Sequence, residues 1–547
     1  MDRTPAPGGH NRRTGLFLSR PEDLGRGRPL PGRGWNETRG PLGKTNPGGG
    51  ARVFTEREEF SRTSGVESPG GDAKHCLKYR EELMSSAIIN ELKPLFEPSS
   101  LAVIGASNTV GKWGYMMVSR PIQSGYRGRI YPVNPKEKEI LGLKAYPSLR
   151  DIPDPVDLAI ITIPAQKVPD AIRDCAEKGI RAAIVITAGF AETGPRGKAL
   201  QDEMVEIARA GGVRVMGPNG MGIWSSAVRM NTAFWFTPRT GGISFVSQSG
   251  TMGGYLLETA TNKGYGFNAF LSVGNQADLT MSDYVEYLGH DEATNVIVLY
   301  IEGLREGTRF LRTARQVIRK KPIIVYKAGR TEQGSRATLS HTASISGADE
   351  IFEALCRQSG IIRFYDVIHA FDVAEALSKQ PLPAGNRVAI VSAGGGHCVV
   401  TTDACSGFGL EVPELDPKTV ARIRKLLLPH APPPRNPIDL AADPRPMTIA
   451  NIIRILAGRP DIDAIITMAP VAMRSTEPSF VREIVGAAEM ISEIPKTYGK
   501  PIIATAMRGN MQGVAFELMK ERGIPFYEFP EEAARAMYGL YRYSQVR

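Results

Sequence analysis

The chain of 547 residues lacks any apolar run long enough to cross a bilayer, which takes about 18 or more residues. Its most apolar stretches, 156–165 and 182–191, stop near ten, the length of a buried strand. A helical membrane protein is excluded. Cysteine is scarce: Cys76, Cys175, Cys356, Cys398 and Cys405 form an odd, scattered set with no Cys-x-x-Cys pair. Neither a disulfide framework nor a zinc ribbon is expected, no metal site is indicated, and a reducing cytoplasm fits best. The basic excess is also diffuse. With 67 basic and 57 acidic residues the net charge is +10, but no Lys/Arg run is interleaved with aromatics, so nucleic acid is not an expected partner. A secretory signal is missing as well, because Gly-Leu-Phe-Leu at 15–18 is followed at once by Ser, Arg and Pro.

What is present divides unevenly. Residues 1–72 hold 15 Gly and 8 Pro, a composition that buries too little apolar surface to offset the entropy of ordering. A disordered leader over 1–83 is expected, read either as an organellar presequence or as an over-extended start ahead of Met84. From about residue 97 the text becomes regular, with β-branched runs of four to seven residues, each followed by a glycine turn and a helix-length amphipathic stretch. Such alternation predicts an α/β fold with mainly parallel sheets, buried on both faces by helices. Breaks near 225–241 and 380–386 divide it into three doubly wound domains over 93–225, 240–380 and 385–547. Five prolines between 429 and 437 mark a loop inside the third.

Three strands end in turns of small residues before a helix, where free N–H groups and the helix dipole favour anions. The first is Val-Ile-Gly-Ala-Ser at 103–107, the second Ser-Gln-Ser-Gly at 247–250, and the third runs from Val388 to Gly394, Gly395, Gly396 and His397. An NAD site would want an acidic residue after the second strand. Pro-Val-Asn-Pro-Lys at 132–136 supplies Lys136 instead, which suits a ligand with an extra phosphate. A nicotinamide oxidoreductase is the weaker reading of this domain. His341 lies in a run of small hydroxyl residues, unusual surroundings for a structural histidine.

The order of Val-Ile-Gly-Ala-Ser, Pro-Val-Asn-Pro-Lys, Thr-Ala-Gly-Phe at 187–190, Gly-Pro-Asn-Gly-Met-Gly at 217–222, Ser-Gln-Ser-Gly, Tyr-Ile-Glu-Gly at 300–303, Ser-His-Thr at 340–342 and Asn-Pro-Ile-Asp at 436–439 resembles the NDP-forming acyl-CoA synthetases, the superfamily of succinyl-CoA synthetase. Within it, the similarity is to the alpha subunits of ADP-forming acetyl-CoA synthetases. The resemblance implies a Rossmann-like CoA-binding domain followed by two flavodoxin-like domains. It implies CoA contacts at Gly105, Ser107, Lys112, Asn134 and Lys136, and a phosphate held at Ser249, Gly250 and Thr251 and at Gly394, Gly395 and Gly396. His341 corresponds to the family's phosphorylated histidine and Glu302 to the glutamate that orients it. His397 stands where the family has a small residue, which makes it a rival acceptor. The reaction implied is acid + CoA + ATP giving acyl-CoA, ADP and phosphate through acyl phosphate and phosphohistidine. ATP, ADP and Mg²⁺ would be bound by a separate ATP-grasp beta subunit, and the substrate would be a small carboxylic acid. The loop at 274–277 and the aromatic stretch at 234–236 are expected to line the acyl pocket. A CoA-binding regulatory protein without turnover is the alternative.

Overall fold

The computed structural model describes residues 87–342, 349–443, 445–470 and 477–547. All belong to the second of two compact units, Asp72–Arg547. The expected leader at 1–83 lies outside the described residues.

Three sheets are built in chain order. The first contains β1 (Ser100–Ile104) and β2 (Arg129–Val133), followed by a separate hairpin of β3 (Glu139–Ile140) and β4 (Leu143–Lys144), then β5 (Leu158–Ile161), β6 (Ala182–Val185) and β7 (Arg214–Met216), ordered β2-β1-β5-β6-β7 and wholly parallel. The second comprises β8 (Gly222–Ser225), β9 (Met230–Asn231), β10 (Thr240–Ser247), β11 (Phe267–Ser272), β12 (Val296–Ile301), β13 (Ile323–Lys327) and β14 (Ile362–Phe364), ordered β14-β13-β12-β10-β11-β8-β9. The third, again parallel, takes β15 (Val388–Ser392), β16 (Ile438–Asp439), β17 (Ala464–Met468), β18 (Ile502–Thr505) and β19 (Phe526–Tyr527) in the order β16-β15-β17-β18-β19.

Every residue of β5, β11 and β12 is buried, as expected where helices cover both faces. Period-two alternation then assigns the faces. In the first sheet Leu101, Val103, Leu158 and Ile160 point into the core shared with the second domain, while Ala102, Ile104, Ala159 and Ile161 face a separate core. The third sheet does likewise: Val388 and Ile390 join the shared core, and Ala389 and Val391 do not. One apolar core therefore runs through all three domains.

β8 falls at the end of the stretch expected for the first domain and β9 in the break after it, yet β8 pairs antiparallel with β11 and β9 with β8, so both belong to the second sheet. This covers the far edge of β11, whose apolar residues would otherwise border solvent.

Counted by parallel strands, each sheet has the order 2-1-3-4-5. Each therefore has a crevice at the carboxyl ends of its first and third parallel strands, where the connections turn opposite ways and ligands bind in open α/β sheets. In the first sheet this crevice lies beyond β1 and β5, in the second beyond β10 and β12, and in the third beyond β15 and β17.

Candidate functional site

Gly105 follows β1 with φ +89°, and a Cβ there would stand 2.8 Å from Oγ1 of Thr162, which follows β5. Thr162 donates to the Ile104 carbonyl at 3.0 Å. At Gly114 a Cβ would fall 1.9 Å from the Gly105 carbonyl oxygen, so the helix Trp113–Ser124 rests directly on this turn. The helix has no acidic residue in its first turn, leaving its amide end open to an anion. Lys112, its N-cap, is exposed, and so is Lys136. Asn134 joins the two turns: Nδ2 donates to the Ala106 carbonyl at 2.7 Å, and Oδ1 accepts from the Lys136 N–H at 2.8 Å. Ser107 turns its hydroxyl inward to accept from the Thr109 N–H at 3.1 Å.

In the second domain Ser249 caps the helix Gly250–Asn262, accepting from the Met252 N–H at 3.3 Å, and Gly250 and Thr251 open that helix. Between β10 and this cap sits Gln248. Its Oε1 accepts from the N–H groups of Glu302 and Gly303, and its Nε2 donates to the Gly303 carbonyl at 2.9 Å. The turn that carries the buried Glu302 is thereby fixed to the phosphate-type turn beside it. Burial, with the Glu302 charge close by, pushes the Tyr300 hydroxyl well above its ordinary pKa. His341 lies within the helix Glu332–Thr342, and its side chain lies outside the described residues, as does the segment at 343–348.

A cavity of about 510 Å³ separates these two crevices. From the first domain it is lined by Trp113, Thr162, Ile163, Pro164, Ile186, Thr187 and Ala188. The linker contributes Asn219, Gly220 and Met221, and the second domain Gln248, Ser249, Gly250, Thr251, Gly274 and Asn275. Of the residues expected from sequence, the structure thus brings Ser249, Gly250 and Thr251 to the same space as Gly274 and Asn275 of the loop at 274–277, whose Gln276 and Ala277 do not line it. The aromatic stretch at 234–236 is elsewhere. Phe234 is buried against Phe270 at 4.7 Å between ring centres, and Trp235 is 68% exposed, so neither borders the cavity. Adjacent aromatics there satisfy the second domain's core.

In the third domain Gly394 is the N-cap of the helix Gly395–Gly407, and Cβ atoms at Gly394 or Gly396 would meet nothing within 4 Å. A Cβ on Gly395 would come within 2.7 Å of Asp439 Oδ2. His397 has both ring nitrogens engaged, Nε2 with the Thr505 hydroxyl at 2.7 Å and Nδ1 with the Thr401 hydroxyl at 3.3 Å. Burial lowers its pKa and holds the ring neutral. Packed between two threonines, His397 is poorly placed as a rival phosphate acceptor.

Sequence reasoning named neither Gln248 nor Glu192, although both lie in quoted or adjacent motifs. The signal available was a polar residue between small ones, and the bonds that tie each to another part of the site reach partners 54 or more residues away. Among the described residues no group of three His, Cys, Asp or Glu side chains is arranged to hold a metal, and no helix is long and apolar enough to cross a membrane.

Residues 99–225 match the CoA binding domain family, 240–377 the succinyl-CoA ligase like flavodoxin domain, and 388–547 the ligase-CoA domain. The alpha subunit of an ADP-forming acetate–CoA ligase II from Pyrococcus furiosus is 40% identical over 447 residues, covering 81% of this chain and 96% of that one. An ADP-forming 4-hydroxybutyrate–CoA ligase from Nitrosopumilus maritimus is 35% identical, with 82% of this chain and 64% of that one covered. Among solved structures, the dinucleotide-forming acetyl-coenzyme A synthetase 1 of Ca. Korarchaeum cryptofilum, in complex with phosphate and ADP, matches with a TM-score of 0.74 at 35% identity, over 84% of this chain and 97% of that one.

Proposed function

This chain belongs to the NDP-forming acyl-CoA synthetases, with the alpha subunits of the ADP-forming acetate–CoA ligases, and from that premise we propose that it catalyses acid + CoA + ATP ⇌ acyl-CoA + ADP + phosphate. The observation that carries the proposal is the cavity. It lies between the crevice of a CoA-binding-type sheet and a capped helix N-terminus whose turn is bonded through Gln248 to the turn of a buried glutamate.

CoA, a substrate here, would lie along the turns of Gly105, Ser107, Lys112, Asn134 and Lys136. The fit rests on the open amide end of the helix Trp113–Ser124, with exposed lysines on its rim and no carboxylate in its first turn. The thioester would then project into the cavity toward Ser249, Gly250 and Thr251, whose amides and hydroxyls suit phosphate. Phosphate attacks the acyl carbon, the thiolate of CoA leaves, and an acyl phosphate forms. Neutral imidazole of His341 takes the phosphoryl group from the acyl phosphate and releases the acid. Glu302 orients that imidazole and stabilises its positive charge. Gly394, Gly395 and Gly396 would hold the phosphoryl group at the third domain.

The last transfer, from phosphohistidine to ADP, needs a nucleotide site and Mg²⁺, which we assign to an ATP-grasp beta subunit. Supporting this, the chain spans 96% of a relative named as an alpha subunit but 64% of the longer 4-hydroxybutyrate–CoA ligase. Cytoplasmic placement accords with the four described cysteines, all buried and free. The test is to combine the chain with a candidate ATP-grasp subunit and measure acid- and CoA-dependent ADP release. Release with the wild type and none with His341→Ala is expected. CoA binding without turnover in any such complex would favour the regulatory alternative.

A further inference from the structure

Two motifs that this chemistry leaves unused, Thr-Ala-Gly-Phe at 187–190 and Gly-Pro-Asn-Gly-Met-Gly at 217–222, supply first-domain and linker walls of the cavity, and the loop at Gly274 and Asn275, packed directly on Pro218 and Asn219, supplies part of the second-domain wall. A single carboxylate behind the cavity ties them together. Glu192 is half-buried; its Oε1 accepts from the N–H of Gly189 at 2.6 Å and of Phe190 at 3.1 Å, and its Oε2 accepts from Nδ2 of Asn275 at 2.6 Å. The Asn275 amide also donates to Oε1 of the buried Gln201 at 3.0 Å, and its Oδ1 accepts from Nδ2 of Asn219 at 3.4 Å. Backbone bonds follow the same path, from the Asn275 N–H to the Pro218 carbonyl at 2.9 Å and from the Asn219 N–H to the Thr187 carbonyl at 3.0 Å.

Glu192 comes from the first domain and Asn275 from the second, so their contact sets one wall against the other. Burial alone would raise the Glu192 pKa, but the donors of Asn275, Gly189 and Phe190 outweigh it and hold the carboxyl below its ordinary range. The group is therefore an acceptor at neutral pH, and charge-assisted bonds of this kind are stronger than neutral ones. An acid reacting between a CoA thioester and a phosphate must lie between these two walls.

We propose that the Glu192–Asn275 bridge is a specificity-determining brace: it fixes the spacing of the cavity walls and so limits the size of the acid that is ligated. Glu192 itself does not border the cavity, which makes it a positioning residue. The inference rests on the acid–CoA ligase reading. Wall spacing discriminates by steric fit, and a single methylene in such a pocket is worth about 10-fold to 200-fold in rate.

The test is Glu192→Gln. It preserves volume and leaves an oxygen for Gly189 and Phe190, but sets an amide NH₂ against the NH₂ of Asn275. Asn275→Ala removes the other half. In the complex with the ATP-grasp subunit, kcat/KM is measured for acetate and for phenylacetate, and CoA binding by calorimetry on the chain alone. Either variant is expected to raise the phenylacetate-to-acetate ratio by about 10-fold, with CoA affinity unchanged and the double variant no further displaced than the singles. An unchanged ratio, or an equal fall for both acids together with a lower Tm and weaker CoA binding, would show the bridge to be structural only. A wild-type complex that ligates neither these nor other acids overturns the ligase reading itself, and the wild-type arm separates the two failures.

Discussion

Gln248 and Gly303 are paired through both functions of one side-chain amide, Oε1 accepting from the Gly303 N–H at 3.0 Å and Nε2 donating to its carbonyl at 2.9 Å. A side chain that mimics a strand neighbour in this way extends the pairing of β10 and β12 past its last backbone bond. The backbone of Glu302 is thus set by the residue preceding the Ser249 cap.

Gln248→Ala is expected to loosen that turn at a cost of about 1 to 3 kcal/mol, the usual range when buried polar groups lose their partners. Formation of phosphoenzyme from acyl-CoA and labelled phosphate should slow, while CoA binding persists. A label that forms at the wild-type rate would detach Gln248 from the chemistry.

The label should be acid-labile and base-stable, as a phosphoramidate is. His341→Ala should abolish it, and Glu302→Gln should slow it by about 10² to 10⁴, the scale of a lost acid–base partner. With its nitrogens held by Thr505 and Thr401, His397 should be dispensable for labelling. Label that survives His341→Ala and vanishes in His397→Ala would reverse the assignment.

Lys136→Ala should weaken CoA by about 1 to 3 kcal/mol, the range for a charge-assisted bond, and the loss should shrink as salt is raised because the ammonium is exposed. Titration calorimetry at two ionic strengths checks this; an unchanged dissociation constant at low salt removes Lys136 from the site.

Asp372 lies fully buried between the second and third domains, accepting from Lys263 at 2.9 Å and Tyr265 at 2.7 Å through Oδ1, while its Oδ2 has no hydrogen-bond partner among the described residues. Burial outweighs these contacts and raises its pKa. A group raised on folding contributes stability that is complete below its unfolded pKa, about 3.9, and is lost as pH rises through the folded value. Asp372→Asn should therefore gain in Tm relative to wild type as pH increases from 4 to 7. A difference in Tm that stays flat across this window would mean that Asp372 does not titrate in it.

Cys175, Cys356, Cys398 and Cys405 are buried, and burial pushes each thiol up to about 12. Only thiolates alkylate readily. Iodoacetamide at pH 8 should leave all four unmodified in the native protein and label them after denaturation, as read by peptide mass spectrometry.

The sequence is most legible where one residue's neighbours determine its state. The run Val296–Ile301 declares itself a buried strand because all six residues must avoid water, and the glycine turns after β1, β10 and β15 declare helix starts. β14, β16 and β19 escape notice because two or three residues carry no period. Side-chain pairing is less legible still. Asn134 reads as a ligand contact, and no local pattern reveals that its amide also ties the Ala106 carbonyl to the Lys136 N–H. The Glu192–Asn275 bond joins residues 83 apart, and nothing local announces which carboxylate an asparagine will meet.

The linker at 217–221 runs from Met216, the end of β7, to Gly222, the start of β8. At 3.3–3.6 Å per residue, six steps of chain span at most about 22 Å. Whatever motions the domains undergo, this leash keeps the carboxyl end of the first sheet within that radius of the second. A ligand held at one crevice therefore meets a ligand held at the other at an effective concentration set by the tether and not by dilution into bulk solvent. Lengthening the leash with glycine and serine would lower that local concentration and would also displace the wall that Asn219, Gly220 and Met221 supply.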